Sequence, residues 1–260
     1  MPEHPVSVRH FDSYAILTLE MPRKRNPISV EMREALIGAL APLQSDNQIR
    51  SVIITGSGST FCSGMDLNAL KDAGSVSYEA HLADSQSLLF FLEYIYAFPK
   101  PTLAAVNGAA VAGGCGLAMA CDLTLASTES YFSFSEVKIG FVPAIVSVYL
   151  NRLIGHKAAR DLLLTGRKVS ADEARGLGLV NEVVTSAALM QRATEVCGEI
   201  ARNSPMAVQS TKKMLVQSGR SGLEADLKLA VKINAKARLT PDCREGVHAF
   251  LEKRLPKWTS

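Results

Sequence analysis

Between Lys100 and Ala126 the chain reads KPTLAAVNGAAVAGGCGLAMACDLTLA, and from Leu103 to Ala120 its one polar residue is Asn107. Four glycines, Gly108, Gly113, Gly114 and Gly116, fall inside this stretch. A segment so apolar is buried, and glycines at this density mark a backbone pressed against something or presenting its N–H groups. A strand entering a glycine turn and then a helix aims amides at an anion. A second corner of this kind is FCSGMDL, Phe61–Leu67. One amide from each corner, Gly113 and Met65, would make an oxyanion hole, two N–H groups holding negative charge on a carbonyl oxygen.

Other chemistries are poorly supported. TGSGST lacks the spacing of a GxSxG nucleophile elbow. Cys115 has no histidine near it in sequence, and the five histidines are isolated. No ligand spacing for a metal is present, so no metal is expected. Gly113-Gly114-Cys115-Gly116 does not supply GxGxxG, which argues against a dinucleotide site.

The elements that would carry these corners follow from pattern. Val6–His10, Tyr14–Glu20, Ser51–Thr55, Thr102–Val106, Asp122–Ala126 and Tyr131–Phe134 read as strands. Ser29–Ala41, capped by Ser29, Glu79–Phe98 and Gly113–Ala120 read as helices. Lys71–Tyr78, small and polar, reads as a loop. From Asn151 the pattern is mainly helical: Ser170 opens a capping box, and Pro205 and Pro241 start further helices, the last running Pro241–Leu255. Strands alternating with helices, then a helical tail, give an α/β body.

The chain has 260 residues, 47% hydrophobic and 20% charged, enough for a sizeable core. Its net charge of +3 is scattered, with small groups such as Lys212-Lys213 read as solvated surface, so no nucleic-acid stripe is expected. Leu103–Ala120 reaches the lower length of a membrane span, but Ala, Gly and Cys dominate it and a buried core segment fits better. Five cysteines without paired spacing, and an N-terminus without the basic-then-apolar order of a signal peptide, suggest reduced thiols and a cytoplasmic setting.

FCSGMDL, KPTLAAVNGAAVAGGCGLAMACDL and FSFSEVKIGFVPA, in that order and spacing, resemble the crotonase, or enoyl-CoA hydratase/isomerase, superfamily. MPRKRNPIS resembles the family's early loop and LLLTGRKVSADEARGLGLVNEVV its distal helices, so the likeness covers most of the chain. The resemblance implies a crotonase-like spiral of ββα turns over residues 1–200. It implies a helical C-terminal trimerisation region over 201–260, with assembly as a homotrimer or a dimer of trimers. It also implies an acyl-CoA thioester as substrate, with no separate cofactor, whose carbonyl meets the amides of Met65 and Gly113.

By position in the family motifs, Arg23 and Lys24 would meet the CoA phosphates, and Ser63, Asp66 and Leu67 would line the adenine and pantetheine path. Phe250 and Lys253 match an FxxK pattern that in many members reaches a neighbouring subunit's ligand. Typical hydratases of the family carry two glutamates flanking a water. The first place is held here by Gly116, beside the acyl group, and the second by Glu136, next to Phe134. A carboxyl among buried aromatics has a raised pKa, suited to proton transfer near neutrality.

A lone second glutamate is similar to Δ3,Δ2-enoyl-CoA isomerases, and to a branch resembling bacterial 3-methylglutaconyl-CoA hydratases and polyketide β-branching decarboxylases. SEVKIGFVPA followed by Ile145-Val146-Ser147 looks more like the second branch, and Ala144 lacks the acid of dienoyl-CoA isomerases. The favoured expectation is hydration of a 2-enoyl-CoA, branched or carboxylated acyl groups included. Isomerisation or decarboxylation through Glu136 is the alternative, and a non-catalytic acyl-CoA binder stands behind both.

Overall fold

Three consecutive stretches of chain repeat one path: a strand in one sheet, a strand in a second sheet, then a helix. In the computed structural model, which describes residues 4–70, 75–220 and 222–258, the path is entered by β1 (Val6–His10), β2 (Tyr14–Leu19) and α1 (Val30–Ser45). The turns are β3 (Ser51–Gly56), β4 (Thr60–Cys62) and α2 (Tyr78–Tyr96); β5 (Thr102–Val106), β6 (Ala109–Val111) and α3 (Gly113–Ala120); β7 (Leu123–Ser127), β8 (Tyr131–Ser133) and α4 (Ala144–Thr165). They are followed by β9 (Lys168–Ser170), α5 (Ala171–Leu177), β10 (Glu182–Val184), α6 (Leu189–Ala201), α7 (Pro205–Ser218), α8 (Leu223–Ala237) and α9 (Pro241–Leu251).

The larger sheet runs β1-β2-β3-β5-β7-β10, parallel except for β1 against β2, and the smaller runs β4-β6-β8-β9, parallel except for β8 against β9. This is the expected ββα spiral. Parallel strands need cover on both faces. Val52, Ile53 and Ile54 on β3 are accordingly all buried, with Ile54 in the main core and Ile53 meeting Leu189, Ala193 and Cys197 of α6. On the C-terminal side, Leu223, Leu227, Ala230 and Val231 of α8 belong to the main core, and α8 packs on α2 and α4.

The local signals act as their chemistry predicts: the hydroxyls of Ser29, Ser170 and Thr240 accept from the backbone N–H groups of Met32, Glu173 and Cys243, closing the first turns of α1, α5 and α9. Several expectations need correction. α1 runs through Pro42 to Ser45, its last turn anchored by buried Leu40 and Leu43. α9 ends at Leu251, four residues early. β6, β9 and β10, three residues each, are too short to show a period and exist through their neighbours. Of the expected loop at Lys71–Tyr78, residues 71–74 lie outside the described residues.

Lys212 is not surface. It is buried, and its Nζ donates to Asp122 Oδ2 (2.6 Å) and to the Lys100 carbonyl (2.9 Å), fastening α7 to the strands beneath. Among the described residues, no helix is long and apolar enough to cross a membrane, and no cluster of three His, Cys, Asp or Glu could hold a metal.

Candidate active site

Two chain corners meet at one point. β4 ends at Cys62, Gly64 takes φ +79°, and Met65 follows. β6 ends at Val111, Ala112 takes φ 52° and ψ −118°, and α3 starts at Gly113. That conformation is costly for alanine. It is pinned from three sides: Ala112 N–H donates to the Ser133 carbonyl (2.8 Å), while its own carbonyl accepts from Cys115 (3.0 Å) and Gly116 (3.2 Å). A Cβ on Gly64 would stand 3.0 Å from the Gly113 nitrogen and 2.7 Å from the Val111 carbonyl oxygen, so only glycine lets the corners touch. The N–H of Gly113 belongs to the first turn of α3, where amides have no partner within the helix and the helix dipole favours negative charge.

Both corners open on a cavity of about 1870 Å³, larger than the usual small-molecule site and suited to a long ligand. Met65, Gly113, Glu136, Arg23, Lys24, Ser63, Asp66, Leu67 and Phe250 all line it. Arg23 and Lys24 stand exposed on a 3-10 turn, Pro22–Lys24.

What holds that turn is Asn26, to which the sequence assigned no role. Its side chain is fully buried: Oδ1 accepts from Met21 N–H (2.9 Å), and Nδ2 donates to the carbonyls of Ser57 (3.0 Å), Thr60 (2.8 Å) and Phe61 (3.3 Å). Arg25 and Asn26 are both left-handed, a shape asparagine tolerates better than most residues. The signal available was Asn before Pro27 in a turn-forming stretch, which points to a turn but not to its distant partners.

Glu136 lies on a 3-10 turn, Ser135–Ile139. The turn is clamped by α9 through two glycines. A Cβ on Gly140 (φ +64°) would stand 2.2 Å from the Asp242 carbonyl oxygen, and one on Gly246 would stand 2.2 Å from the Ile139 carbonyl carbon. Glu136 is buried, and its Oε2 has no hydrogen-bond partner. Burial raises its carboxyl to about 7, partly offset by its own backbone N–H. A group that shares its proton near neutrality and keeps one oxygen uncommitted can take a proton from one atom and deliver it to another.

Two sequence candidates sit elsewhere. Gly116 is buried in the core and does not line the cavity; a Cβ there would meet Val146 Cγ1 at 2.7 Å, so the space for a side chain is already filled. Lys253 is exposed, just past α9 at φ 56°, and likewise does not line the cavity. Cys115 is unsuited to nucleophilic work: burial pushes its thiol well above the ordinary range, and Sγ donates to the Ala110 carbonyl (3.0 Å).

The family model for enoyl-CoA hydratase/isomerase matches residues 11–260. The chain belongs to that family. It is 45% identical over 244 residues to a Thermus thermophilus protein whose name assigns it, provisionally, to the enoyl-CoA hydratases, covering 94% of this chain and 96% of that one. It is 33% identical over 242 residues to the 2,3-dehydroadipyl-CoA hydratase of Escherichia coli, covering 93% of each. A crystal structure of an enoyl-CoA hydratase/isomerase from Xanthobacter autotrophicus Py2 superposes with a TM-score of 0.89 at 29% identity, over 96% of this chain and 97% of that one. The crotonase-like fold inferred from FCSGMDL and the glycine run is therefore shown along nearly the whole chain.

Proposed function

We propose that this enoyl-CoA hydratase/isomerase family member hydrates a 2-enoyl-CoA. The observation that carries the reading is Glu136: one buried carboxyl with a free oxygen, in the same cavity as the two abutting amide corners. The thioester carbonyl sits between the N–H groups of Met65 and Gly113. Glu136, as carboxylate, takes a proton from water as the water oxygen bonds to C3, and the C2=C3 electrons move onto the carbonyl oxygen as an enolate. The two amides stabilise that charge. The enolate then re-forms the carbonyl and takes the proton from Glu136 at C2, which returns the carboxylate. Water is consumed, nothing leaves, and no cofactor or metal takes part.

Arg23 and Lys24, exposed cations at the cavity mouth, suit the CoA phosphates, while Ser63, Asp66 and Leu67 lie along the ligand's path. Phe250, in the last turn of α9 and 57% exposed, and Lys253, just past the helix, have exposed Leu255 and Trp258 nearby, which supports assembly as a homotrimer or a dimer of trimers. The resemblance to bacterial 3-methylglutaconyl-CoA hydratases extends the reading to branched acyl groups.

A second reading rests on the filled space at Gly116: with no second acid, Glu136 alone could move a proton between two carbons of a 3-enoyl-CoA. Incubating the enzyme in D2O with 2-enoyl-, 3-enoyl- and branched enoyl-CoA esters separates the outcomes by mass. Hydration adds water with one deuterium at the α-carbon. Isomerisation exchanges the α-proton and adds no oxygen, decarboxylation loses CO2, and tight binding without turnover leaves a binder only.

A further inference from the structure

Away from the reacting centre, the cavity wall holds a second charged group. Arg33 of α1 and Arg238, at the end of α8, are each only 4% exposed, and both line the cavity. They share one carboxylate, Asp84 of α2. Arg33 Nη2 donates to Asp84 Oδ1, and Arg238 Nη1 donates to Asp84 Oδ2 (2.7 Å). Arg238 Nη2 also reaches Asn234 Oδ1 (3.3 Å), which accepts from Ser85 Oγ (2.9 Å). Two fixed positive charges thus surround one negative charge, and the Nε of each arginine is buried with no partner.

An unsatisfied buried donor is destabilising, more so when charged, and a guanidinium is shaped to hold a carboxylate through paired N–H groups. An excess of one positive charge matches one carboxylate. The phosphates of CoA, several charges on a solvated group, match the exposed Arg23 and Lys24 instead. The two arginines are also joined to the apolar part of the cavity: Asp84 lies one turn before Leu88 on α2, and Leu88, Ile145 and Val146 line the same space.

We infer that Arg33 and Arg238 bind a carboxylate at the far end of the acyl chain, so that the substrate is a 2-enoyl-CoA bearing a terminal carboxylate. Asp84 holds both guanidinium groups in place. This rests on the cavity being an enoyl-CoA site.

The test compares 2-hexenoyl-CoA with its ω-carboxylated counterpart in the wild-type enzyme and in Arg238→Met, Arg238→Lys and Asp84→Asn. A charged hydrogen bond of about 1.5–3 kcal/mol corresponds to a factor of about 10–150. Wild type is expected to favour the carboxylated ester. Arg238→Met should lower kcat/KM for that ester by this factor beyond any loss on the neutral one, with Arg238→Lys recovering part of it. Asp84→Asn, which removes the competing negative charge while keeping a side-chain oxygen to hold a guanidinium group, should increase the preference. Equal losses on both esters, or a wild-type preference for the neutral one, would show a purely structural ion pair and overturn the inference. Calorimetric Kd values for hexanoyl-CoA and adipoyl-CoA read the same preference without turnover. Absent turnover therefore overturns the hydration reading, while the Kd ratio alone decides this one.

Discussion

Of the carboxyl groups that line the cavity, two are held in opposite protonation regimes. Glu136 is alone: burial is the main influence on it, no cation is near enough to register, and its carboxyl rises to about 7. Asp84 is also penalised by burial, but the Arg33 and Arg238 guanidinium groups outweigh that and hold it below the ordinary carboxylate range. Glu136 can therefore exchange its proton under working conditions, whereas Asp84 stays charged. A buried acid becomes a chemical instrument by being left unpaired, and a structural one by being paired.

The largest expected effect comes from silencing the lone acid. Glu136→Gln keeps the shape and removes the proton carrier, and kcat/KM should drop about 10³-fold, in the range of general acid–base catalysis. Unchanged turnover would remove Glu136 from the chemistry. On the proposed mechanism the carboxylate starts the reaction, so wild-type kcat/KM should climb as pH rises through about 7 and then level off.

Stability gives the next comparison. Folded Glu136 holds its proton from its ordinary 4.5 up to about 7, so its contribution is most favourable in acid and is lost as pH rises across that window. Asp84 has the opposite sign: its contribution is present above the unfolded value of about 3.9 and disappears as pH falls below it. Denaturant titration should find Glu136→Gln more stable than wild type at pH 8, by up to about 3 kcal/mol, and no such gain at pH 4.5. A gain independent of pH would contradict the assignment.

The smallest effect tests the support beneath Glu136. Gly246→Ala places a methyl against the Ile139 backbone, and a loss of about 1–3 kcal/mol is expected from such overpacking. Since the Glu136 turn must shift, kcat should suffer more than KM. A variant with normal kcat would mean that the clamp is dispensable.

Features written in adjacent residues were legible before the fold was known. The caps at Ser29, Ser170 and Thr240 act within one helical turn, and Gly113 marks its corner by composition alone. Glu136 is recognisable by its place in a family motif, but its 3-10 turn is not, because α9 packs against that turn from far along the chain. The arginine cluster left no local trace: Arg33 and Arg238 meet Asp84 across 51 and 154 positions of sequence, and each alone looks like an ordinary surface cation on a helix. The clamp of Gly246 on Ile139 escaped for the same reason, since close approach is a property of two distant backbones.

That clamp also orders events in time. A chain made at roughly 5–20 residues per second exposes the Met65 and Gly113 corners several seconds before α9 leaves the ribosome. Until then the Glu136 turn packs on α4 but lacks the α9 side of its support. On the proposed mechanism, a nascent protein would thus acquire the means to grip a thioester before the means to transform it, and competence would wait for α9.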